Sequence, residues 1–535
     1  MTRAWRRLPA ILAFALLIFQ TAIPWTVNHF VTQDGPSHLY TGVVLKELLL
    51  HRTTPYASFY RLQSKIVPNW AAGVLLGTAA SLVGADHAEQ LLVSLSVIAG
   101  FFAFAYACAA IYPGASPWNP IANFLLQNWF LSVGFYNFYL GMALFPFVIG
   151  FYIRHLDRMT LRRATLLAVA LLGLFFTHIM AAAVAALTLV MVGLWVHLGG
   201  RRLSMETIWT AAARLGILAV ALIPLLVFAI LFAKSAGESV VFLPEAGSAF
   251  ERFPMDLFVT GPERSGRQDL LWPAVLLVMG MSALSMRRLE WRTARGGLLV
   301  AAVLTGGLYL FAPDNGFGGQ DVKKRLAWAF FILGCLLACS VARLRPLRTP
   351  LSIYISCFLA ATLITSARVG KAMSNAADAY ISATDHIPPG ATFVRLFYPV
   401  SGVATRFGFE GVPLAPLFHF DAHIAATRHC IDLSDYQAAS GLFPVIYTPI
   451  IDTRQRDALW GFEYAPNNNS AILPWLRSAL RRPIGYVVVV GDETSVEAKN
   501  TDMAATLAGL ESGMRLVATA NPGSFVRVYQ RIAAR

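Results

Sequence analysis

Residues 164–200 form a run of 37 residues without Asp, Glu, Lys or Arg, closed by Arg162 and Arg163 on one side and by Arg201 and Arg202 on the other. As a single helix the run would be about 55 Å long at 1.5 Å per residue, against a hydrocarbon core of ~30 Å. Arginine in short loops marks the cytoplasmic side of a membrane protein, so both flanks belong on the same side. The run therefore reads as a hairpin of two spans, with its turn near Thr177 and His178.

The rest of the first 368 residues extends this pattern. Arg3, Arg6 and Arg7 precede an apolar stretch from Leu8 to about Val27, nearer the length of a span than of a signal core, and it reads as an uncleaved anchor. Further apolar runs occupy 69–84, 88–112, 118–153, 207–234, 271–286, 297–312, 326–342 and 350–368. In 118–153 the same parity argument places one crossing at 134–153 and leaves 118–133 at the outer interface. The expectation is a polytopic α-helical membrane protein of about 11 spans, seven before an external loop at 235–270 and four after it. The loops at 154–163, 201–206, 287–295 and 343–349 would face the cytoplasm, and the first loop, 28–68, the outside.

Composition excludes several other classes. At 56% hydrophobic and 13% charged residues, this is no ordinary soluble enzyme. The net charge of +14 arises entirely in residues 1–368, with 29 Lys+Arg against 15 Asp+Glu; residues 369–535 carry 14 of each. A basic excess confined to membrane loops does not point to nucleic acid. Four of the five cysteines lie in apolar runs and Cys430 stands alone, so there is no disulfide framework. The final segment, 369–535, reads as an external α/β domain. Strands are expected over 392–398, 484–490 and 524–530 and a helix over 502–511, between turns such as Pro388-Pro389-Gly390.

Polar residues collect at the outer ends of the spans. In Gln33–Tyr40, a helix starting near Pro36 puts Asp34 at its first turn and His38 four residues on, along the same side. Asp34 is equally suited to capping that helix. The same rim receives His178 from the hairpin turn and the cluster Lys323, Lys324 and Arg325, preceded by Asn315, Gly316, Gly318 and Gly319. Cations are depleted outside the cytoplasm, and an anionic lipid phosphate would account for this cluster, as would snorkelling to lipid headgroups. Tyrosines and tryptophans between 118 and 139 suit an interfacial belt. His419, Asp421 and His423 have a spacing that, along a strand edge, would be compatible with metal ligation.

The chain resembles the type C glycosyltransferase superfamily as a bacterial member. The resemblance rests on Asp34 with Pro36 and His38, the stretch GFYNFYLG at 134–141, the Thr177-His178 pair and the basic run before the span at 326. It extends to architecture, with seven spans before a second external loop and a soluble C-terminal domain. It implies a sugar donor carried on a polyprenyl phosphate, a catalytic role for Asp34, and a cell-envelope glycan, lipid or protein as acceptor. The resemblance leaves the cofactor open between none and a divalent Mg or Mn, with Asp34 the sole candidate ligand; Gly35 stands where a second acid is often found. Asp34 would be the base, His38 and His178 would orient the acceptor or the sugar, and Lys323, Lys324 and Arg325 would hold the phosphate. The alternatives are a lipid or small-molecule transporter or flippase, and a non-catalytic subunit of the same architecture. The spans carry few ionisable residues at mid-depth, which favours surface chemistry at the cytoplasmic membrane over passage through it.

Overall fold

The computed structural model describes residues 3–51, 53–114, 116, 118–199, 204–234, 253, 280, 291–316, 319–339, 345–398, 401–409, 415–449, 484–491, 503–520 and 525–532. The expected span at 271–286, nearly all of the 235–270 loop and parts of the basic loops lie outside these residues.

Among the described residues, seven helices are long and apolar enough to cross a membrane. In chain order the helices of the membrane part are α1 (Arg3–Ala22), α2 (Gly35–Leu50), α3 (Ala71–Val83), α4 (Ala85–Ile111), α5 (Ile121–Leu126), α6 (Trp129–Val133), α7 (Tyr136–His155), α8 (Leu161–Thr177), α9 (Ile179–Leu198), α10 (Met205–Ala233), α11 (Ala294–Phe311), α12 (Val322–Ala338) and α13 (Arg345–Thr384). The hairpin is present: α8 ends at Thr177 and α9 begins at Ile179. No Gly or Pro turns it. Instead the side chain of His178 accepts the N–H of Met180 at 3.1 Å and caps α9.

Two apolar runs behave differently from expectation. The run 69–84 is not a crossing. At one end of α3 the Trp70 N–H bonds to Phe176 O beside the hairpin turn, and just past the other end Asp86 meets His423 of the C-terminal domain. Both ends lie at one rim, and 13 residues reach only about 20 Å. The second correction concerns 118–133. The Tyr136 hydroxyl bonds to Glu89 near the starts of α7 and α4, and Arg154 lies over Tyr106 near their ends, so the two helices run parallel. The chain between them must return through the depth of the bundle, and it does so as the short helices α5 and α6. Of the tyrosines and tryptophans between 118 and 139, Tyr136 and Tyr139 are buried while Trp118 and Trp129 are half-buried. Tyr139 stacks on the fully buried Trp328, and Trp118 stacks on Phe101.

The apolar run ending at 368 does not end its helix, because α13 continues unbroken to Thr384. Beyond it come α14 (Ser401–Phe407), α15 (Phe420–Arg428), α16 (Tyr436–Ser440) and α17 (Met503–Glu511). The strands are β1 (Tyr60–Leu62), β2 (Thr392–Phe397), β3 (Ile431–Asp432), β4 (Val445–Tyr447), β5 (Tyr486–Val490), β6 (Met514–Thr519) and β7 (Val526–Arg531). They form a five-stranded mixed sheet in the order β3-β2-β5-β7-β6, parallel on the β3-β2-β5 side and antiparallel beyond it. The three expected strands and the 502–511 helix are all present within two residues. β5 is a fully buried run of valines at the sheet's centre.

The C-terminal domain is fixed to the rim rather than tethered to it. β1 from the first loop pairs antiparallel with β4, and Tyr60 stacks on Tyr447. The Tyr40 hydroxyl donates to Cys430 O, and α15 packs across α2. Close packing of α2 on α3 depends on Gly42, where a Cβ would press on the backbone of Gly73 and Gly77 at 2.7 and 2.8 Å.

Candidate active site at the bundle rim

Between the membrane helices and the C-terminal domain lies a cavity of about 1190 Å³ including its solvent-filled mouth. Asp34, His38, His178 and Arg325 all line it, together with Gln33, Asn137, Asp321, His419 and Tyr436. Five separate segments of chain thus converge on one space.

Asp34 precedes α2, and its side chain makes no capping hydrogen bond. Its backbone N–H bonds to Val133 O at 2.8 Å, which aims the carboxylate into the cavity rather than along the helix. Gln33 Nε2 donates to Oδ1 at 3.2 Å, and the Tyr436 hydroxyl donates to Oδ2 at 3.1 Å. Gln33 is itself held by the Ala415 N–H, which it accepts at 3.1 Å. Burial and the Asp34 carboxylate push the Tyr436 hydroxyl well above the usual tyrosine range, so it remains a proton donor.

Gly35 and Gly134 make this placement possible. A Cβ on Gly35 would collide with Glu89, Thr32 and the Tyr136 hydroxyl, and one on Gly134, whose φ is +87°, would press on the Gly35 backbone. A second acid at 35 has no room. Gly141 of the same stretch lets α7 close on the hairpin, since a Cβ there would stand 2.7 Å from Thr177 Oγ1.

His38 lies one turn along α2. The Thr41 hydroxyl donates to Gln437 Oε1 at 2.8 Å, which orients the Gln437 amide so that its Nε2 donates to His38 Nδ1 at 3.0 Å. The proton of the neutral ring is then on Nε2. Burial holds His38 far down, at about 3, so it is a neutral group. His419, at the start of α15, is built the same way. Arg395 Nη1 lies 3.3 Å from its Nδ1, and a guanidinium only donates, so Nε2 carries the hydrogen and faces Asp34 Oδ1 at 3.9 Å. Burial and then Arg395 lower His419 well below the usual histidine range.

The cationic cluster divides. Arg325 lines the cavity, donates from Nε to Gln320 O at 2.9 Å and lies over Phe135 and Phe138. Its Nη1 is 3.0 Å from His178 Nε2. That ring also faces the Met180 N–H, and a neutral imidazole has one acceptor nitrogen, so it serves one donor at a time. Lys323 is buried beside Asp314 at 3.7 Å, and Lys324 pairs with Asp321 at 2.8 Å and sits over Trp129. Neither lines the cavity. Lys323 and Arg325 were expected at a solvated rim, but they are 6% and 9% exposed. Of the glycine-rich turn before them, Gly316 and Gly319 bond to each other through their backbones and Gly319 lines the cavity; Gly318 lies outside the described residues.

His419, Asp421 and His423 do not form one metal site. They sit at the start of α15, not along a strand, and face Asp34, Arg395 (3.5 Å) and Asp86 (3.3 Å) respectively. The sequence reading missed Gln33, Asn137, Asp321, His419 as a neighbour of Asp34, Tyr436 and Gln437. Nothing local marks the last two, which reach the site from 402 and 399 positions away from their partners.

No known family pattern matches the sequence, and no curated protein matches it. Solved structures do match the fold. The crystal structure of ArnT from Cupriavidus metallidurans bound to undecaprenyl phosphate aligns over 100% of this chain and 99% of its own, with a TM-score of 0.54 at 12% identity. The apo form of the same protein aligns over 98% and 97%, with a TM-score of 0.53 at 11% identity. The chain has the fold of the type C glycosyltransferases, a multi-pass membrane bundle with a sheet-containing C-terminal domain.

Proposed function

We propose that this protein transfers a sugar from a polyprenyl-phosphate donor to an acceptor on the non-cytoplasmic face of the membrane. The observation that carries the reading is the meeting of Asp34, His38, His178 and Arg325 in one cavity. The acceptor hydroxyl attacks the anomeric carbon, its proton passes to Asp34, the bond from that carbon to the phosphate oxygen breaks, and the polyprenyl phosphate leaves with the electron pair. One displacement inverts the anomeric configuration. Arg325 stabilises the charge on the departing phosphate, and the leaving group is already ionised, so no general acid is needed. The neutral Nε2–H of His38 suits a hydrogen bond to a sugar or acceptor oxygen, as does the Nε2–H of His178 while its Nδ1 caps α9, and the Gln320 carbonyl sets the position of Arg325.

Three further features support the reading. Aromatic rings of Trp129, Phe138, Phe418, Tyr436 and Phe443 line the same space and offer faces to a pyranose. A second, apolar cavity of about 910 Å³, lined by Val27, Phe30, Leu363 and Met373 among others, has Val31, Thr32, Leu131 and Ser132 in its wall, next in sequence to Gln33, Asp34 and Val133 of the first, and suits a polyprenyl chain. The solved structure of ArnT holds undecaprenyl phosphate on the same fold. Orientation is inferred from Arg154, Arg158, Arg162, Arg163, Arg292 and Arg295 at the end of the bundle opposite the cavity. A catalytic Mg or Mn suits Asp34 poorly. Its oxygens meet hydrogen-bond donors, Gly35 excludes a second acid, and among the described residues no three-ligand cluster includes it. The test is transfer from a radiolabelled undecaprenyl-phosphate pentose or hexose to envelope extracts. Label incorporation by the wild type and none by Asp34→Asn is expected; equal incorporation by both would overturn the assignment.

A further inference from the structure

Away from the cavity, a second group of side chains joins three parts of the fold. His29 lies in the loop after α1, Asp86 in the first turn of α4 and His423 in the first turn of α15. One donor atom of each lies within 4.8 Å of the others. His423 Nε2 is 3.3 Å from Asp86 Oδ1, close to the ~3.3 Å that separates two ligands on a tetrahedral zinc with bonds of about 2.0 Å.

The hydrogen bonding of the group is incomplete in a specific way. The His423 side chain is 4% exposed, and its Nε2 makes no well-aligned hydrogen bond among the described residues, meeting the Asp86 carboxylate at 3.3 Å. His29 Nε2 faces Asp378 Oδ1 at 3.2 Å, while its buried Nδ1 has no hydrogen-bond partner among the described residues. An imidazole that gives one nitrogen to a carboxylate and leaves the other free is the usual arrangement of a metal-ligating histidine, the carboxylate fixing the tautomer. Phe420 stacks on His423 at 5.0 Å, and the His29 backbone N–H bonds to Ser374 Oγ at 3.2 Å, so both rings are held in place. The Asp86 side chain is 55% exposed and gives an ion and a water ligand access from solvent.

We propose that His29, Asp86 and His423 bind one zinc-class divalent ion, with water as fourth ligand, that clips the C-terminal domain to the rim of the membrane bundle. Two imidazoles and a carboxylate suit Zn over Mg or Ca, which prefer all-oxygen shells. The site is separate from Asp34 and takes no part in transfer. Its structural effect is to anchor α15, whose first turn presents His419 to the cavity.

The test uses the full chain in detergent, stripped with chelator and titrated with Zn, with metal content measured on the reisolated protein. One Zn per chain and a rise in Tm on loading are expected. His423→Ala and His29→Ala should each weaken binding by about 100-fold or more and abolish the Tm rise, as expected when folding and ligation are coupled. Asp86→Asn, on a half-exposed side chain, keeps the test usable should a histidine variant not fold, and should weaken binding by about tenfold. His155→Ala, at the opposite end of the bundle, should change nothing. Absence of stoichiometric binding, or Zn binding that survives Asp86→Asn and the histidine substitutions, would overturn the proposal.

Discussion

The Tyr436 hydroxyl donates to Asp34 Oδ2 at 3.1 Å across 402 residues of sequence, so the C-terminal domain supplies part of the environment of the acid in the first loop. The same domain brings Gln437 to His38 and His419 to Asp34. It completes the site rather than decorating it. Tyr436→Phe keeps the ring and removes the donor. Hydrogen bonds to charged groups contribute ~1.5–3 kcal/mol, so transfer should fall by about ten- to a hundredfold. The assay is initial rate with Tm measured alongside; an unchanged rate would mean that this contact is structural only.

Asp34→Asn separates base from cap. Because the carboxylate makes no capping bond, the substitution should leave Tm within a few degrees of wild type. An amide does not accept the proton, and loss of general-base help costs about 100-fold to 10,000-fold. Full activity in this variant would remove Asp34 from the reaction.

Arg325 and Lys324 are neighbours in sequence with different surroundings. Arg325→Gln should weaken binding of undecaprenyl phosphate by roughly ten- to a hundredfold, the worth of a charge-assisted contact. Lys324→Gln, on a side chain 33% exposed and turned toward Asp321 and Trp129, should change it less than about threefold. Equal losses from the two would point to general attraction of the anion instead of a clamp.

Asp435 offers a pH test of the domain. Its carboxyl caps Gln437 N at 3.0 Å but is buried, and burial raises it to about 7. Between the unfolded value near 4 and about 7 the folded state binds the extra proton, so this group's contribution to stability falls as pH rises through that window. His38, lowered to about 3, acts with the opposite sign over a similar range, so the informative quantity is a difference. Asp435→Asn keeps the cap and does not titrate. Its Tm relative to wild type should increase steadily from pH 4 to pH 7 and then level off; a flat difference would place the carboxyl in the ordinary range.

Orientation can be read with single cysteines in a cysteine-free background. Asp385, with a side chain 61% exposed, follows α13 beside the C-terminal domain, and Arg162 lies at the opposite end of the bundle. Asp385→Cys should react with a membrane-impermeant maleimide on intact spheroplasts, and Arg162→Cys only after permeabilisation. The reverse pattern would place the cavity in the cytoplasm.

The legible parts of this protein were those set by local sequence. Uninterrupted apolar residues and arginine loops disclosed the hairpin at 164–200, because water-to-lipid transfer and chain length act on each run by itself. Valine-rich 486–490 disclosed its strand for the same kind of reason. The run 69–84 misled because composition reports that a helix is apolar and not whether it crosses, and α3 packs its apolar residues on α2 and α4. The interface reading of 118–133 failed because two parallel helices, α4 and α7, force the chain between them to return, and that relationship exists only in the assembled bundle.

At the site the division follows the range of the forces involved. The sequence alone determined that Asp34, His38, His178 and Arg325 would share a rim, since topology along one chain fixes which end of each helix they occupy. It could not choose among three adjacent cations, because Asp314, Asp321 and Trp129, which take Lys323 and Lys324 out of the cavity, act only through side-chain geometry. Nor could it find Tyr436, Gln437 or the grouping of His29 with Asp86 and His423. Those contacts are made by hydrogen bonds and short-range packing between surfaces that meet only after the bundle and the C-terminal domain have each formed, so no local pattern records them.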